Sequence, residues 1–443
     1  MNGTRIGFFA FVIVAWFALP VHHAIAQDAQ VQDTQAQDTD AAAAGDTAMV
    51  VRSGQYITVT SDVLTANEAD ELIAAFGAAA KQWAEFWKLP QGALDQWHTK
   101  ACVIKDKQRF VAAGLIPQQV PDFKFGYALD NRIWVMHQES TYYTRHLLLH
   151  EGVHSLAFGH FGGAGPSWFM EGTAELLSVH TGSGAQTKIN QIPPNREAVP
   201  FWGRFKLMSA NRKDSEVPSL ETVMSYPADL QADVKSYGWS WAAAMLFSAY
   251  PDYRGAFDAA AKDGQESDAV FNAKLKQRLA ANWPVVQARW RLMCHDLDYG
   301  FDWSRETVQL SMADQLWDGD PINLTVKADR GWQSIGVRLK PGMTLHITPS
   351  GQCIVATDPK PWVSEPAGVT LHYDRGRPRG QLLACLVPNS PGNGENLKPL
   401  AIAPITRAMK IPIKQHCWML FRINDAPDGL ADNTGGYSLK IKP

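Results

Sequence analysis

The spacing of apolar residues divides the chain into a helix-rich region and, after about residue 310, a strand-rich region. In the first region apolar residues recur every three or four positions in several segments, which predicts amphipathic helices. The predicted helices are Ala66–Trp87, Thr144–Phe158, Ser167–His180, Tyr237–Tyr250 and Asp268–Leu297. Shorter runs of strand-forming residues lie among them, at Tyr56–Thr60, Lys100–Ile104 and Arg132–Met136.

In the second region apolar and polar residues alternate over short segments. Clusters of Gly, Pro, Asn and Asp separate these segments, a pattern typical of a β-sandwich or barrel. The predicted strands are Asn323–Lys327, Ser334–Leu339, Thr344–Thr348, Gln381–Val387, Met409–Pro412, Trp418–Ile423 and Tyr437–Ile441. The pattern therefore predicts an α+β domain over residues 49–310, followed by an all-β sandwich domain over 311–443.

The first 48 residues have a different pattern. Arg5 precedes the apolar run Ile6–Pro20, and Ala24-Ile25-Ala26 follows it, which predicts a signal peptide over 1–26 that is cleaved after Ala26. The run is too short to span a bilayer comfortably, so we expect a secreted or periplasmic mature chain without a transmembrane segment. The Gln-Asp repeats of Gln27–Ala48 predict a disordered linker.

Composition and charge exclude some classes of function. The 443 residues carry a formal net charge of −3, and they lack the basic excess that nucleic-acid binding needs. An oxidising compartment permits disulfides among Cys102, Cys294, Cys353, Cys385 and Cys417, but their pairing cannot be inferred from the spacing. The alternative is that these cysteines are ordinary small buried residues.

The motif His150-Glu151-Gly152-Val153-His154 lies inside a predicted helix. Histidines at positions i and i+4 share one face of a helix, and zinc favours such nitrogen ligands. This spacing predicts that His150 and His154 hold zinc and that Glu151 is the general base on the zinc-bound water. Gly152 is expected to keep the helix surface low beside the metal, whereas the nearby His146 and His160 are interpreted as packing residues.

A catalytic zinc needs a third protein ligand and one open position. The segment Trp168–Glu175 (WFMEGTAE) can supply the ligand from a helix that returns antiparallel after the glycine-rich turn at 159–166. Glu171 is the candidate. Glu175 lies one turn later on the same face and could orient a zinc histidine through its second ring nitrogen.

HExxH followed by W-x-x-E-G-x-A-E resembles the gluzincin metallopeptidases, in particular the aminopeptidase-like and peptidase-MA-like families. The resemblance covers about residues 55–297 and implies a zincin-like fold with Glu171 as the third ligand. It also implies a later tyrosine that stabilises the oxyanion, and the segment Ser236–Ala242 (SYGWSWA) makes Tyr237 the candidate.

The chain departs from the aminopeptidases of that group in one respect. Their Gly-x-Met-Glu-Asn motif is absent from Asn131–Ser140, which precedes the zinc helix, so aminopeptidase specificity is not implied. We expect an extended peptide to bind along an edge strand formed by Ile133–His137.

The C-terminal loop Asn424–Gly435 is dense in oxygen-bearing side chains, which hard cations prefer, although such residues also dominate ordinary turns. This loop, with Gly331–Val337, Leu339–Gly342 and Leu345–Gly351, resembles the calcium-dependent galactose-binding lectin of the PA-I type. The resemblance implies a lectin-like domain in which calcium, and through it a sugar, is held by a set of side chains and carbonyls. The implied set is Asp425, Asp432, Asn433, Gly429 and Val355.

These observations predict a secreted zinc metallopeptidase that hydrolyses peptide bonds in a peptide or protein substrate. Two alternatives stay open. One is a carbohydrate-binding or adhesive protein with a degenerate peptidase domain, which the intact zinc motif disfavours. The other is a zinc hydrolase of cell-wall peptides. The natural substrate, the cleavage specificity and the oligomeric state cannot be inferred from the sequence.

Overall fold

The structure is a computed structural model that describes residues 48–227, 234–390 and 394–443. The predicted signal peptide lies outside the described residues, and so does the predicted linker apart from Ala48. The described chain combines a helix-rich region that contains one sheet with a strand-rich C-terminal region, so the predicted mixture of α and β structure is confirmed.

A five-stranded sheet forms one wall of the helix-rich region. Its spatial order is β1-β2-β3-β5-β4, in which β2, β3 and β5 are parallel and the two outer strands are antiparallel to their neighbours. The strands are β1 (Val50–Ser53), β2 (Ile57–Ser61), β3 (Thr99–Ile104), β4 (Gly126–Leu129) and β5 (Arg132–Met136). The parallel pair β2 and β3 requires a crossover connection, and a long helix supplies it.

The helices pack on this sheet and on one another around a large aromatic core. They are α1 (Ala66–Phe86), α2 (Lys107–Ala112), α3 (Thr141–Phe161), α4 (Ser167–Ser178), α5 (Arg204–Asp214), α6 (Leu220–Met224), α7 (Val234–Ala249), α8 (Pro251–Ala261), α9 (Asp268–Arg278), α10 (Trp283–Asp296) and α11 (Trp303–Glu306). A small hairpin, β6 (His180–Thr181) and β7 (Lys188–Ile189), follows α4. The single helix predicted over Asp268–Leu297 is divided in two, because Pro284 fits only the first turn of a helix.

The prediction of an edge strand at Ile133–His137 is wrong. Strand β5 pairs with β3 on one side and with β4 on the other, so its hydrogen-bonding groups are used within the sheet. The strand at this end of the sheet is β4, which the sequence analysis missed. Its four residues are all partly buried and show no alternation, so the period-two signal is absent.

The C-terminal region contains two main sheets that share a hydrophobic core. One has the order β12-β11-β19-β10-β17 with β8 also paired to β19, and the other has the order β16-β15-β18-β9. A separate ribbon pairs β13 with β14. The strands are β8 (Ile322–Lys327), β9 (Gln333–Leu339), β10 (Thr344–Ser350), β11 (Cys353–Ile354), β12 (Val363–Ser364), β13 (Val369–Asp374), β14 (Arg377–Arg379), β15 (Leu382–Pro388), β16 (Ile402–Pro404), β17 (Met409–Pro412), β18 (Cys417–Ile423) and β19 (Thr434–Lys442).

Helix α10 covers the outer face of the second sheet. Its apolar residues Val285, Ala288 and Leu292 pack with Trp418 and Leu420 of β18, so every residue of β18 is buried. Buried charges join the same two regions: the carboxylate of Asp296, at the end of α10, accepts hydrogen bonds from the Trp332 indole and the Arg375 guanidinium. Arg422 of β18 pairs with Asp296 at 2.9 Å and with Glu306 at 3.1 Å.

Two further predictions concern cysteines and membranes. All five cysteines are buried and unpaired, which agrees with the alternative that they are small packing residues. Within the described ranges, no helix combines the length and the apolar character that crossing a bilayer requires.

Candidate metal centre

Helix α3 carries the HEGVH motif through the interior of the helix-rich region. The helix begins after Ser140, whose hydroxyl accepts the Tyr143 N–H, and it ends at Gly162 in a left-handed conformation. His150, Glu151 and His154 are each at most 7% exposed. Buried polar groups of this kind are costly unless they find partners, so their neighbours decide what they can do.

Helix α4 returns after the glycine-rich turn and places Glu171 against both histidines. Glu171 Oε2 lies 3.0 Å from His150 Nε2 and 3.6 Å from His154 Nε2. Two ligands bound tetrahedrally to one zinc ion at about 2.0–2.1 Å stand about 3.3 Å apart. The three side chains therefore fit a single zinc ion, and the two imidazoles and the carboxylate are donors that zinc accepts.

Gly172, the residue after Glu171, brings α4 and α7 into close contact. A Cβ atom at this position would lie 2.4 Å from the backbone oxygen of Ser240 in α7. Only glycine fits there without moving a helix. The Glu-Gly pair thus has a packing reason, since the contact sets the position of α4 and of Glu171 within it.

Gly152, the glycine of the HEGVH motif, has a different role from the one predicted. A Cβ at Gly152 would lie 2.5 Å from the Phe76 ring and 2.8 Å from the Trp83 ring, so Gly152 faces α1 and not the metal ligands. The glycine beside the Glu151 carboxylate is Gly126 of β4, where a Cβ would lie 2.4 Å from Oε1. Burial raises the pKa of Glu151 to about 8.

Glu175 lies behind the histidines, as its spacing predicts, but it is held by different partners. Its two oxygens accept hydrogen bonds from the Trp202 indole at 3.0 Å and from Arg204 at 2.5 Å. His150 Nδ1 is 3.7 Å from Glu175 Oε1, which is close enough for electrostatic attraction but long for a hydrogen bond. Burial alone would raise the pKa of Glu175, but Arg204 and the histidines hold it well below its usual range.

His146 is one turn before His150 and belongs to the same polar cluster. Its ring is fully buried, and neither ring nitrogen has a hydrogen-bond partner among the described residues. Nε2 lies 3.7 Å from Glu175 Oε2, and His146, His150 and Glu175 form a second group of closely spaced potential ligands. Because Glu175 is occupied by Trp202 and Arg204, the first group is the better metal site.

Tyr237 on α7 lies beside the histidines. Its ring centroid is 6.1 Å from that of His150, and the Arg204 guanidinium is 5.2 Å from the ring. Burial raises the pKa of the phenol, and the nearby Glu171 and Glu151 raise it further. The phenol therefore stays protonated and can donate a hydrogen bond into the site.

The predicted calcium loop has a cation of its own. Arg379 on β14 pairs with Asp425: its terminal nitrogen donates to Oδ2 at 2.9 Å, and Nε lies 2.8 Å from Oδ1. Asn433 donates to the same carboxylate at 2.8 Å, and Asp432 is 4.0 Å from the guanidinium. A Cβ on Gly429 would lie 2.8 Å from the Arg379 terminal nitrogen, so this glycine also lines the pair.

Val355 completes the predicted calcium set, and it is fully buried. Its backbone N–H donates to the Trp362 carbonyl. With the Arg379 guanidinium on Asp425, the loop does not fit a calcium ion. Calcium binding and sugar binding stay predictions that require Arg379 to move.

The sequence analysis missed three residues that contact the site. Arg204 and Trp202 lie in and just before α5, about thirty residues after Glu175, and no spacing rule links them to the HEGVH motif. Gly126 lies in the missed strand β4. A need for N–H donors such as those of Trp202 and Arg204 could have been inferred from Glu175, since a buried glutamate requires hydrogen-bond partners.

Comparison with known proteins adds little. The sequence matches no protein-family model and no curated protein sequence. Among solved structures it is similar to one described as "EclA N-terminal domain; PllA-like lectin", with a TM-score of 0.20 and 18% identity over 27% of this chain and 93% of that chain.

Proposed function

We propose that the protein is a zinc-dependent peptidase of the gluzincin type. The observation that carries the proposal is the convergence of His150, His154 and Glu171, whose ligand atoms lie within 4.8 Å of one another in the protein interior. His150 and His154 come from one helix and Glu171 from the next, which is the arrangement that the resemblance implies. Tyr237 and Glu151 flank the same cluster and supply the two remaining chemical roles.

Each of these site residues has a defined task in this proposal. Bound zinc supplies a Lewis acid that polarises a carbonyl and lowers the pKa of water. Glu151 accepts a proton from the attacking water and returns it to the leaving amine. Tyr237 donates a hydrogen bond to the oxygen that becomes negative as the carbonyl is attacked.

The sheet offers a binding surface for an extended peptide next to Glu151. Strand β4 is paired with β5 on one side only, and its Gly126 approaches Glu151. A peptide that pairs with the free side of β4 would run past the carboxylate, with the backbone supplying the hydrogen bonds. Recognition through the peptide backbone favours a protein or peptide substrate over a small molecule.

The test is hydrolysis of a fluorogenic peptide library, a casein substrate and purified muropeptides by the full chain. We expect the wild type to cleave at least one substrate, and Glu151→Gln to cleave it at least about 1000-fold more slowly because the base is lost. After chelation, the activity of the wild type should return only when zinc is restored. Glu85→Gln, on the exposed face of α1, is the matched control and should be fully active.

Three outcomes separate the hypotheses. Cleavage of muropeptides alone would assign the site to cell-wall peptides. Equal rates for the wild type and Glu151→Gln would refute the mechanism. Zinc binding without hydrolysis of any substrate would favour the degenerate-domain alternative.

A further inference from the structure

We propose that the cavity between the helix-rich region and the second sheet binds a small organic anion, one that carries a carboxylate or phosphate group on an apolar body. The cavity has a volume of 270 Å³ and lies between α5, α10, the strands β14–β16 and the segment 397–400. None of the metal-centre residues lines it, and of the loop Asn424–Gly435 only Asn424 does. The proposal is independent of the peptidase function.

Cationic side chains account for most of the charged groups on the wall of the cavity. Six of them line it: Arg212, Arg291, Arg375, Arg377, Lys398 and Arg422. Within the described residues, Asp296 is the only carboxylate on this wall, and it is already paired with Arg375 and Arg422. A cavity with so large an excess of positive charge attracts an anion.

Three of these cations, Arg291, Arg377 and Lys398, have no carboxylate partner in the described part of the chain. Arg291 donates from one terminal nitrogen to the carbonyls of Lys398 and Pro399, and its buried Nε has no hydrogen-bond partner. Arg377 donates to the carbonyl of Ile402. Neutral carbonyls leave the charges uncompensated, and a carboxylate or phosphate is the group that guanidinium donors match.

Arg212 and Arg375 also favour the binding of an anion in this cavity. Arg212 reaches Asp298 only at 3.5 Å. Burial lowers the pKa of Arg212, and the neighbouring charge of Arg375 lowers it further. Two guanidinium groups that repel each other across a cavity wall are stabilised when an anion binds between them.

Most of the rest of the wall is apolar and sets the shape of the ligand. Val217, Leu383, Leu400 and Ile402 line it together with the Trp332 ring. Small-molecule sites commonly have volumes of about 300–1,000 Å³ with a few polar groups on an apolar lining, and this cavity is close to the lower end of that range. An inorganic ion would leave the apolar wall uncovered, so we assign the site to an anion with a short hydrocarbon body.

Isothermal titration calorimetry of the full chain with four probes tests the proposal. Hexyl phosphate and hexanoate should bind with a Kd of about 1 mM or tighter. Hexan-1-ol, which lacks the charge, and inorganic phosphate, which lacks the body, should each bind at least about tenfold more weakly. The two anionic probes separate a phosphate preference from a carboxylate preference.

The variant Arg291→Gln/Arg377→Gln should weaken hexyl phosphate binding at least about tenfold while leaving the Asp296 ion pairs intact. Arg407→Gln, an exposed arginine outside the cavity, is the control and should bind like the wild type. If the double variant does not fold, Arg377→Gln alone should still weaken binding about threefold or more.

The proposal is overturned if the wild type binds neither anion, or if hexan-1-ol binds as tightly as hexyl phosphate. It is equally overturned if the cavity variants bind as the control does. Tight binding of inorganic phosphate would overturn the assignment of the apolar wall.

Discussion

Two carboxylate clusters, one in each region of the molecule, look alike in sequence and differ in how their charge is compensated. Glu171 meets only the imidazoles of His150 and His154, and in the described chain no Lys or Arg lies within ion-pair distance of it. Asp425, by contrast, is held by the guanidinium of Arg379 and by Asn433. The first cluster can accept a cation, whereas the second already contains one.

The difference shows that a list of oxygen and nitrogen donors does not define a metal site. What matters is whether another part of the chain already supplies the positive charge. Glu175 makes the same point within the helix-rich region, because Arg204 compensates it, whereas Glu171 has no such cation among the described residues and could hold a metal.

The largest effect is expected from Arg379→Ala. Removing the guanidinium leaves Asp425 as an uncompensated, buried carboxylate, which should lower the free energy of unfolding by about 3 kcal/mol. The vacated position, next to Asp425, Asp432 and Asn433, should then accept calcium. Thermal melting with and without calcium measures both effects, and calcium should stabilise the variant but not the wild type.

Arg330→Ala is the control for this prediction, since Arg330 forms a partly exposed pair with Asp329 in the same region. Its loss should cost less than about 1 kcal/mol. The contrast between the clusters fails if the two variants melt alike, or if calcium stabilises the wild type as much as Arg379→Ala.

A smaller effect is expected from Arg204→Gln. Without Arg204, Glu175 loses its strongest partner, and His150 is no longer backed by a fixed carboxylate. Zinc affinity should fall about 10- to 100-fold, measured by competition with a chelator of known affinity. Arg52→Gln, an exposed arginine paired with Asp70, should leave zinc affinity unchanged. An unchanged affinity in Arg204→Gln would show that Glu175 and Arg204 are only packing partners.

The smallest effect is expected from Gly126→Ala. The new methyl group would collide with Glu151 Oε1 and displace the base without touching a zinc ligand. We expect kcat to fall about tenfold while zinc content stays the same. Gly77→Ala on α1, where a Cβ meets no atom within 4 Å, is the matched control. If Gly126→Ala retains full kcat, β4 does not position Glu151.

Much of the fold and of the candidate metal centre could be predicted from the sequence because the signals are local. The helix carrying HEGVH, the returning helix with Glu171 and seven of the twelve C-terminal strands follow from periodicity, with ends that differ by a few residues. Strand β4 could not be predicted because it is short and partly buried throughout.

The compensating cations could not be predicted because the contacts are distant in sequence. Arg204 reaches Glu175 across twenty-nine positions, and Arg379 reaches Asp425 across forty-six. Nothing in the sequence near either carboxylate indicates which arginine will fold against it. The burial of β18 on both faces could not be predicted for the same reason, because the helix that covers it, α10, lies in a distant part of the chain.

The most direct test of the central claim is the zinc content of the purified full chain, measured by elemental analysis after dialysis against buffer with trace zinc. The account predicts one zinc per chain for the wild type and for His346→Ala, an exposed histidine on β10, and almost none for His154→Ala. Equal zinc in His154→Ala and the wild type, or none in the wild type, would contradict the assignment of His150, His154 and Glu171 as a metal centre.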